Sequence, residues 1–116
     1  MVIEDHEENR RLLRDLLTSV GYELIEAVTG EEGLAAAETQ GPDLILMDIQ
    51  LPGIDGYEVT RRIKAKPALR HIPIIAVTSY ALSGDDVKAA AAGCDAYVTK
   101  PFDPAELLTK IQEFLG

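Results

Sequence analysis

One thiol, Cys94, is all that the 116 residues hold, so no disulfide can form within the chain. A lone cysteine suits a reducing compartment such as the cytosol. No apolar run approaches the ~18 residues that a membrane-spanning helix needs. The opening "MVIEDHEENRR" lacks the basic start and long apolar stretch of a secretory signal. A cytoplasmic protein without a membrane segment is therefore expected. Bases are scarce too, 11 against 20 acids, for a net charge of −9. So acidic a surface is repelled by phosphate backbones, which argues against direct nucleic-acid binding. Linkers, low-complexity tracts and internal repeats are also missing, so residues 1–116 read as one domain. That length buries a core without staples. Cys94, beside the helix-ending Gly93, reads as a small packed residue rather than a reactive one.

What is present is an alternation, five times over, of short apolar runs and amphipathic stretches. The runs are "MVI", "YELIEA", "LILM", "IPIIAV" and "AYV". Three of them are almost wholly apolar, the pattern of strands covered on both faces. The stretches between them carry helix start and stop signals. Leu12, Leu13, Leu16, Leu17 and Val20 fall on one helical face, and Gly21 suits the stop. Thr29 with Glu32, Asp55 with Glu58 and Ser83 with Asp86 have the spacing of capped starts. A helix opened at Asp55 should stop before Pro67. In "DPAE" Asp103 is the cap, Pro104 sits in the first turn, and Leu107, Leu108, Ile111 and Leu115 stripe the helix that follows. Strands alternating with helices imply right-handed crossovers, and hence a doubly wound α/β sandwich with a five-stranded parallel sheet. "MVI" is short for a strand; either it is clipped or residues precede it.

Open parallel sheets bind ligands beyond the carboxyl ends of their strands. The residues there are Glu4 and Asp5 after the first run, Asp48 after the third, Thr78 and Ser79 after the fourth, and Lys100-Pro101 after the fifth. Three crowded carboxylates raise one another's pKa unless a cation sits among them, and a hard divalent ion such as Mg2+ is the economical partner. An amine and a hydroxyl suit an incoming phosphoryl group. Together these are the equipment of phosphoryl transfer, in which a carboxylate can itself be the nucleophile. Each residue alone has a plainer reading. Asp48 could begin a Pro-Gly turn, Glu4 and Asp5 could cap the first helix, Lys100 could be solvated, and Thr78 and Tyr97 could be strand and core filler. The combination is what argues for chemistry. His6 reads as a loop residue, and two histidines so far apart in sequence do not suggest a metal site.

Glu4-Asp5, Asp48 followed by "IQLPGIDG", "VTSYA" and "YVTKPF" resemble, in order and over essentially the whole chain, the receiver domains of two-component response regulators, the family of the chemotaxis protein CheY. The resemblance implies a flavodoxin-like, CheY-like sheet of strand order 2-1-3-4-5. It implies that Asp48 accepts a phosphoryl group from a phosphohistidine on a sensor histidine kinase or histidine phosphotransfer protein. Asp5 and Asp48 would bind Mg2+ directly, with the backbone carbonyl of Gln50, and Glu4 through water; glutamate stands here where aspartate is commoner. Lys100 would pair with the phosphoryl group, ahead of a cis bond to Pro101. Thr78 would bring its hydroxyl to a phosphoryl oxygen while Tyr97 changes rotamer behind it. Gln50 and Tyr80 occupy positions that tune dephosphorylation. The face of the fourth helix, fifth strand and fifth helix would then meet a downstream protein, the domain being a monomer or a phosphorylation-dependent dimer. Such a domain is a switch that assists its own phosphorylation and dephosphorylation, not a conventional enzyme. The phrase around Asp48 is similar both to stand-alone regulators and to receivers within hybrid kinases. Three rival readings stand beside it. A magnesium-dependent aspartyl-phosphate phosphohydrolase would want an aspartate at position 50 and a cap over the site. A flavodoxin-like cofactor carrier would want glycine in "EDHEEN". A receiver-like module could also signal without phosphate.

Overall fold

Two short strands, β1 (Val2–Ile3) and β2 (Glu26–Ala27), precede three longer ones, β3 (Ile45–Asp48), β4 (Ile74–Thr78) and β5 (Ala96–Thr99). In the computed structural model, which describes residues 1–78 and 85–115, they form one parallel sheet of order β2-β1-β3-β4-β5. Five helices lie between and after them: α1 (Glu7–Ser19), α2 (Gly30–Gln40), α3 (Gly56–Ala65), α4 (Asp85–Ala92) and α5 (Pro104–Leu115). The architecture is the expected doubly wound sandwich with the expected strand order.

Alternation along the strands sorts the core into two layers. Val2, Leu46, Ile75 and Val98 pack with Leu13 and Leu17 of α1 and with Leu107 and Ile111 of α5. Ile3, Ile45, Met47, Ile74 and Ala76 pack with Ala37 of α2, Val59 and Ile63 of α3, and Ala89 of α4. Successive side chains point to opposite faces and both faces are covered, so β3 and β4 are apolar at every position before their last residue. No helix among the described residues is long and apolar enough to cross a membrane.

Two expectations change. "YELIEA" pairs over only two of its six residues, because its ladder partner β1 is itself two residues long: Val2 lies opposite Glu26 and Ile3 opposite Ala27. Tyr22 and Leu24 still pack on one layer and Ile25 on the other. The apolar stripe of α1 is also narrower than its spacing suggests. Leu13 and Leu17 are buried, but Leu12 is 65% and Val20 47% exposed. Val20 lies past the helix end, where Gly21, at φ +92, turns the chain in the left-handed region.

The caps are where they were expected. Thr29 Oγ1 accepts from Glu32 N at 3.1 Å, Asp55 Oδ1 from Glu58 N at 2.9 Å, and Asp103 Oδ1 from Ala105 N at 2.9 Å. Ser83 lies outside the described residues. Gly56 begins α3 hard against the end of β3. A Cβ there would stand 2.5 Å from Asp48 O and 2.8 Å from Ile49 Cα, both backbone atoms that cannot swing aside. Gly56→Ala should therefore lower the unfolding free energy by about 1–3 kcal/mol in urea or thermal denaturation. A loss below ~0.5 kcal/mol would show that the β3–α3 loop yields freely.

Candidate functional site

β3 and β4 each run one residue beyond their apolar stretch, because the ladder continues: Asp48 pairs with Val77 and Thr78 with Thr99. Both polar residues are thus strand residues, and both are buried, as is Glu4 just past β1. Lys100, just past β5, places Nζ 3.1 Å from Glu4 Oε1 and 3.8 Å from Asp48 Oδ1. Its backbone N–H donates to Thr78 O at 2.6 Å, tying the end of β5 to that of β4. Asp48 Oδ1 accepts from Gln50 N at 3.2 Å. The Lys100–Pro101 bond is cis.

Burial raises the Asp48 carboxyl from 3.8 to about 8; the neighbouring Glu4 adds to the rise, while Lys100 and the Gln50 N–H oppose it. Glu4 moves the other way. Burial, the largest single influence, disfavours its ionisation, but hydrogen bonds from Asp48 and Lys100 and the lysine charge together leave it below its ordinary value. The two carboxyls share one proton, held by Asp48 and donated to Glu4. Beyond that proton, Glu4 Oε2 and Asp5 Oδ1 are buried without a hydrogen-bond partner among the described residues. Ligand atoms of Glu4, Asp5, His6 and Asp48 all lie within 4.8 Å of one another. Orphaned carboxylate oxygens gathered this closely can hold a metal ion.

The sequence did not point to Arg10, and pointed to His6 only as a loop residue. Arg10 Nη1 donates to the backbone carbonyls of Glu4 (3.0 Å) and Asp5 (3.1 Å). The same guanidinium pairs with Glu7 and lies 3.6 Å from Glu26, which Arg14 grips through two hydrogen bonds of 2.8 Å. A two-residue β1 offers few ladder bonds, and Arg10 holds the acidic segment beyond it. The only hint in the sequence was a basic pair close behind acids in an acidic chain. His6 is the N-cap residue of α1, without a side-chain cap bond, so neither Glu4 nor Asp5 caps that helix. Its Nδ1 lies 3.2 Å from Asp5 Oδ1, close but not aligned as a hydrogen bond. Its relevant partners are acids, which a search for paired histidines overlooks. Tyr97 lies opposite Ala76, partly buried against the α2–α3–α4 layer. Gln50 is exposed, and Ser79 and Tyr80 lie outside the described residues. Cys94 packs as expected, its Sγ 3.7 Å from Thr60 Oγ1 and its thiol pushed up by burial.

The family model for the response regulator receiver domain matches residues 1–112. This chain belongs to that family. The receiver domain is 47% identical, over its whole length and 94% of the relative's, to the polar-differentiation response regulator DivK of Brucella ovis. It is similar in structure to the receiver domain of a sensor histidine kinase from Pseudomonas aeruginosa, in which a magnesium ion is coordinated in the active-site cleft. That match has 40% identity and a TM-score of 0.92, and covers 99% of this chain and 94% of that one. A CheY-like receiver domain from Methanospirillum hungatei is similar at 35% identity and a TM-score of 0.89, over 97% of this chain and 88% of that one. A receiver domain is the phosphoacceptor part of two-component signalling, and a buried acidic centre at the strand ends is consistent with that role.

The shared proton makes the metal-free receiver domain's stability depend on pH in a definite direction. Folded Asp48 keeps its proton up to about pH 8, against 3.8 for an ordinary aspartate. Its stabilising contribution is therefore full below the ordinary value and is lost as pH rises through the folded one. Comparing the wild type with Asp48→Asn isolates the contribution of this one carboxyl. Without metal, Asp48→Asn should gain on the wild type by ~1–3 kcal/mol as pH is raised from about 5.5 to about 8.5. Parallel stability curves for the two proteins would show that no proton is shared.

Proposed function

We propose that Asp48 is the phosphoacceptor of this receiver domain, taking a phosphoryl group from the phosphohistidine of a sensor histidine kinase or histidine phosphotransfer protein, with residues 1–116 as one switch domain. The observation that carries this reading is the buried Asp48 carboxyl at the end of β3, hydrogen-bonded to Glu4 on one side and 3.8 Å from the Lys100 ammonium on the other. The carboxylates of Glu4, Asp5 and Asp48, two of whose oxygens are buried and unpartnered, fit a hard divalent cation. The magnesium in the cleft of the similar Pseudomonas receiver supports that ion. Asp5, Asp48 and the Gln50 carbonyl would hold it directly and Glu4 through water. When bound, magnesium supplies positive charge that favours ionised carboxylates and neutralises phosphoryl oxygens.

Asp48 gives up its proton to water, and one of its oxygens attacks phosphorus in line with the donor's P–N bond. That bond breaks, the imidazole nitrogen keeps the electron pair, and an acyl phosphate forms on Asp48. Lys100, paired with Glu4 in the resting centre, turns to a phosphoryl oxygen, and the Thr78 hydroxyl donates to another. Tyr97 fills the space behind Thr78, and the face of α4, β5 and α5 repacks to meet a downstream protein or a second copy. Gln50 and Tyr80 set how quickly water reaches the acyl phosphate. The receiver domain is in this reading a cytoplasmic switch that assists its own phosphorylation and dephosphorylation, and no conventional enzyme.

An apolar groove of about 580 Å3 between α1 and the β5–α5 turn, lined by Leu12, Leu13, Leu16, Pro101 and Phe102, reaches Lys100. Because it reaches Lys100, this groove supports docking of an apolar flank of the phosphohistidine protein beside the acidic centre, which gives the exposed Leu12 a use.

Intact-mass analysis after incubation with magnesium and acetyl phosphate should show one added phosphoryl group, acid-stable, hydroxylamine-labile and absent from Asp48→Asn. Undiminished addition to the variant would put the acceptor elsewhere. Leu12→Asp should leave labelling by acetyl phosphate unchanged and slow transfer from a phosphorylated histidine phosphotransfer protein about 10-fold or more. Equal slowing with both donors would mean that the groove shapes the centre instead of docking a partner.

A further inference from the structure

We propose that the acidic centre has a second cation mode, in which His6 Nδ1 joins Asp5, Glu4 and Asp48 around a borderline transition cation of the zinc(II) and cobalt(II) class, in competition with magnesium. The proposal rests on the carboxylates being cation ligands, as in the function proposed for the centre, and adds a nitrogen donor that magnesium has no use for.

Three observations carry it. The four candidate ligand atoms lie within 4.8 Å of one another. A zinc-class ion at ~2.0–2.2 Å from each of four ligands needs them about 3.4 Å apart, so a modest inward movement completes the set. Next, Glu4 Oε2, on a side chain only 2% exposed, and Asp5 Oδ1 are both buried without a hydrogen-bond partner among the described residues. Buried carboxylate oxygens in that condition call for a cation. Finally, His6 Nδ1 is already 3.2 Å from Asp5 Oδ1, while 67% of its side chain is exposed. The imidazole stands at the rim with room to turn, and the Asp5 oxygen beside it marks where it would arrive.

Ligand chemistry separates the two modes. Magnesium is hard, prefers oxygen and keeps its waters, so His6 stays turned out. Zinc(II) and cobalt(II) accept imidazole nitrogen with carboxylate oxygen and exceed magnesium in affinity at mixed sites. His6 bound to such an ion would stand beside Asp48, their ligand atoms being already within 4.8 Å of each other. A receiver domain holding such an ion is therefore closed to its phosphodonor, and the supply of transition metal becomes an input to the switch.

The test uses the untagged 116-residue chain, titrated separately with cobalt(II) and magnesium, with His6→Ala, His71→Ala and Asp5→Asn in parallel. Cobalt binding is followed by its visible absorption and by paramagnetically shifted ring-proton resonances, magnesium binding by calorimetry, and folding by thermal denaturation. The wild type should bind one cobalt, displaceable by zinc, with a shifted imidazole resonance. His6→Ala should lose that resonance and about 10-fold or more of cobalt affinity, while its magnesium affinity stays within ~2-fold. His71→Ala should match the wild type, and Asp5→Asn should lose both ions. Unchanged cobalt affinity in His6→Ala would overturn the proposal and leave the magnesium reading standing. Cobalt held normally by Asp5→Asn would overturn it as well, by moving the ion out of this centre. Cobalt binding that needs His6, in a protein that binds no magnesium, would uphold the nitrogen-ligated site and remove magnesium from the proposed function.

Discussion

Glu4 and Asp48 are two carboxyls buried side by side, and the rest of the site is arranged around that conflict. Like charges this close cannot both ionise away from water, so the resting centre keeps one proton on Asp48 and sets the Lys100 ammonium against both groups. The sheet imposes the closeness. β1 and β3 are adjacent parallel strands, Ile3 lies opposite Met47, and the next residue on each is an acid. The strand register thus brings the two acids out of adjacent strands at the same level. A centre held in that condition is poised to accept positive charge, as a cation and then as the surroundings of a phosphoryl group.

The scaffold around the conflict is rigid where it must be and thin where it can be. Asp48 is the last residue of a strand whose four residues are buried and paired with β4, and Gly56 lets α3 start against it. The Glu4–Asp5 side is thinner. β1 has two residues, and the backbone just past it is held from outside by Arg10, itself steadied by Glu7 and by Glu26 in the grip of Arg14. Those charges are partly or largely exposed, and individually they contribute little to global stability. Their use is local, since they fix two carbonyls and through them the direction of two carboxylates.

Much of this was legible in the sequence because it is written in local signals. The caps at Thr29, Asp55 and Asp103 need only a side chain and a backbone N–H two or three residues on, and the apolar runs of β3 and β4 state their own burial. The strand ends then pointed to Glu4, Asp5, Asp48, Thr78 and Lys100. The misreadings fell where a residue's environment is set by a distant element. Leu12 obeys the helical period yet lies at a groove, because α1 turns Leu13 and Leu17 inward. "YELIEA" has the alternation of a strand, but strand length is a property of the pair, and its partner ended first.

By itself, then, the sequence determined the element order, the caps, which strands are covered on both faces, and which residues stand at the strand ends, since each depends on neighbours within a few positions. Tertiary structure alone decided the protonation of Asp48, the pairing of Lys100 with Glu4 across 96 positions of sequence, and the gathering of Glu4, Asp48, Thr78 and Lys100 at one end of the sheet. These are matters of desolvation and of distances of a few ångströms. Both arise only when the chain has folded and water has left the ends of the strands.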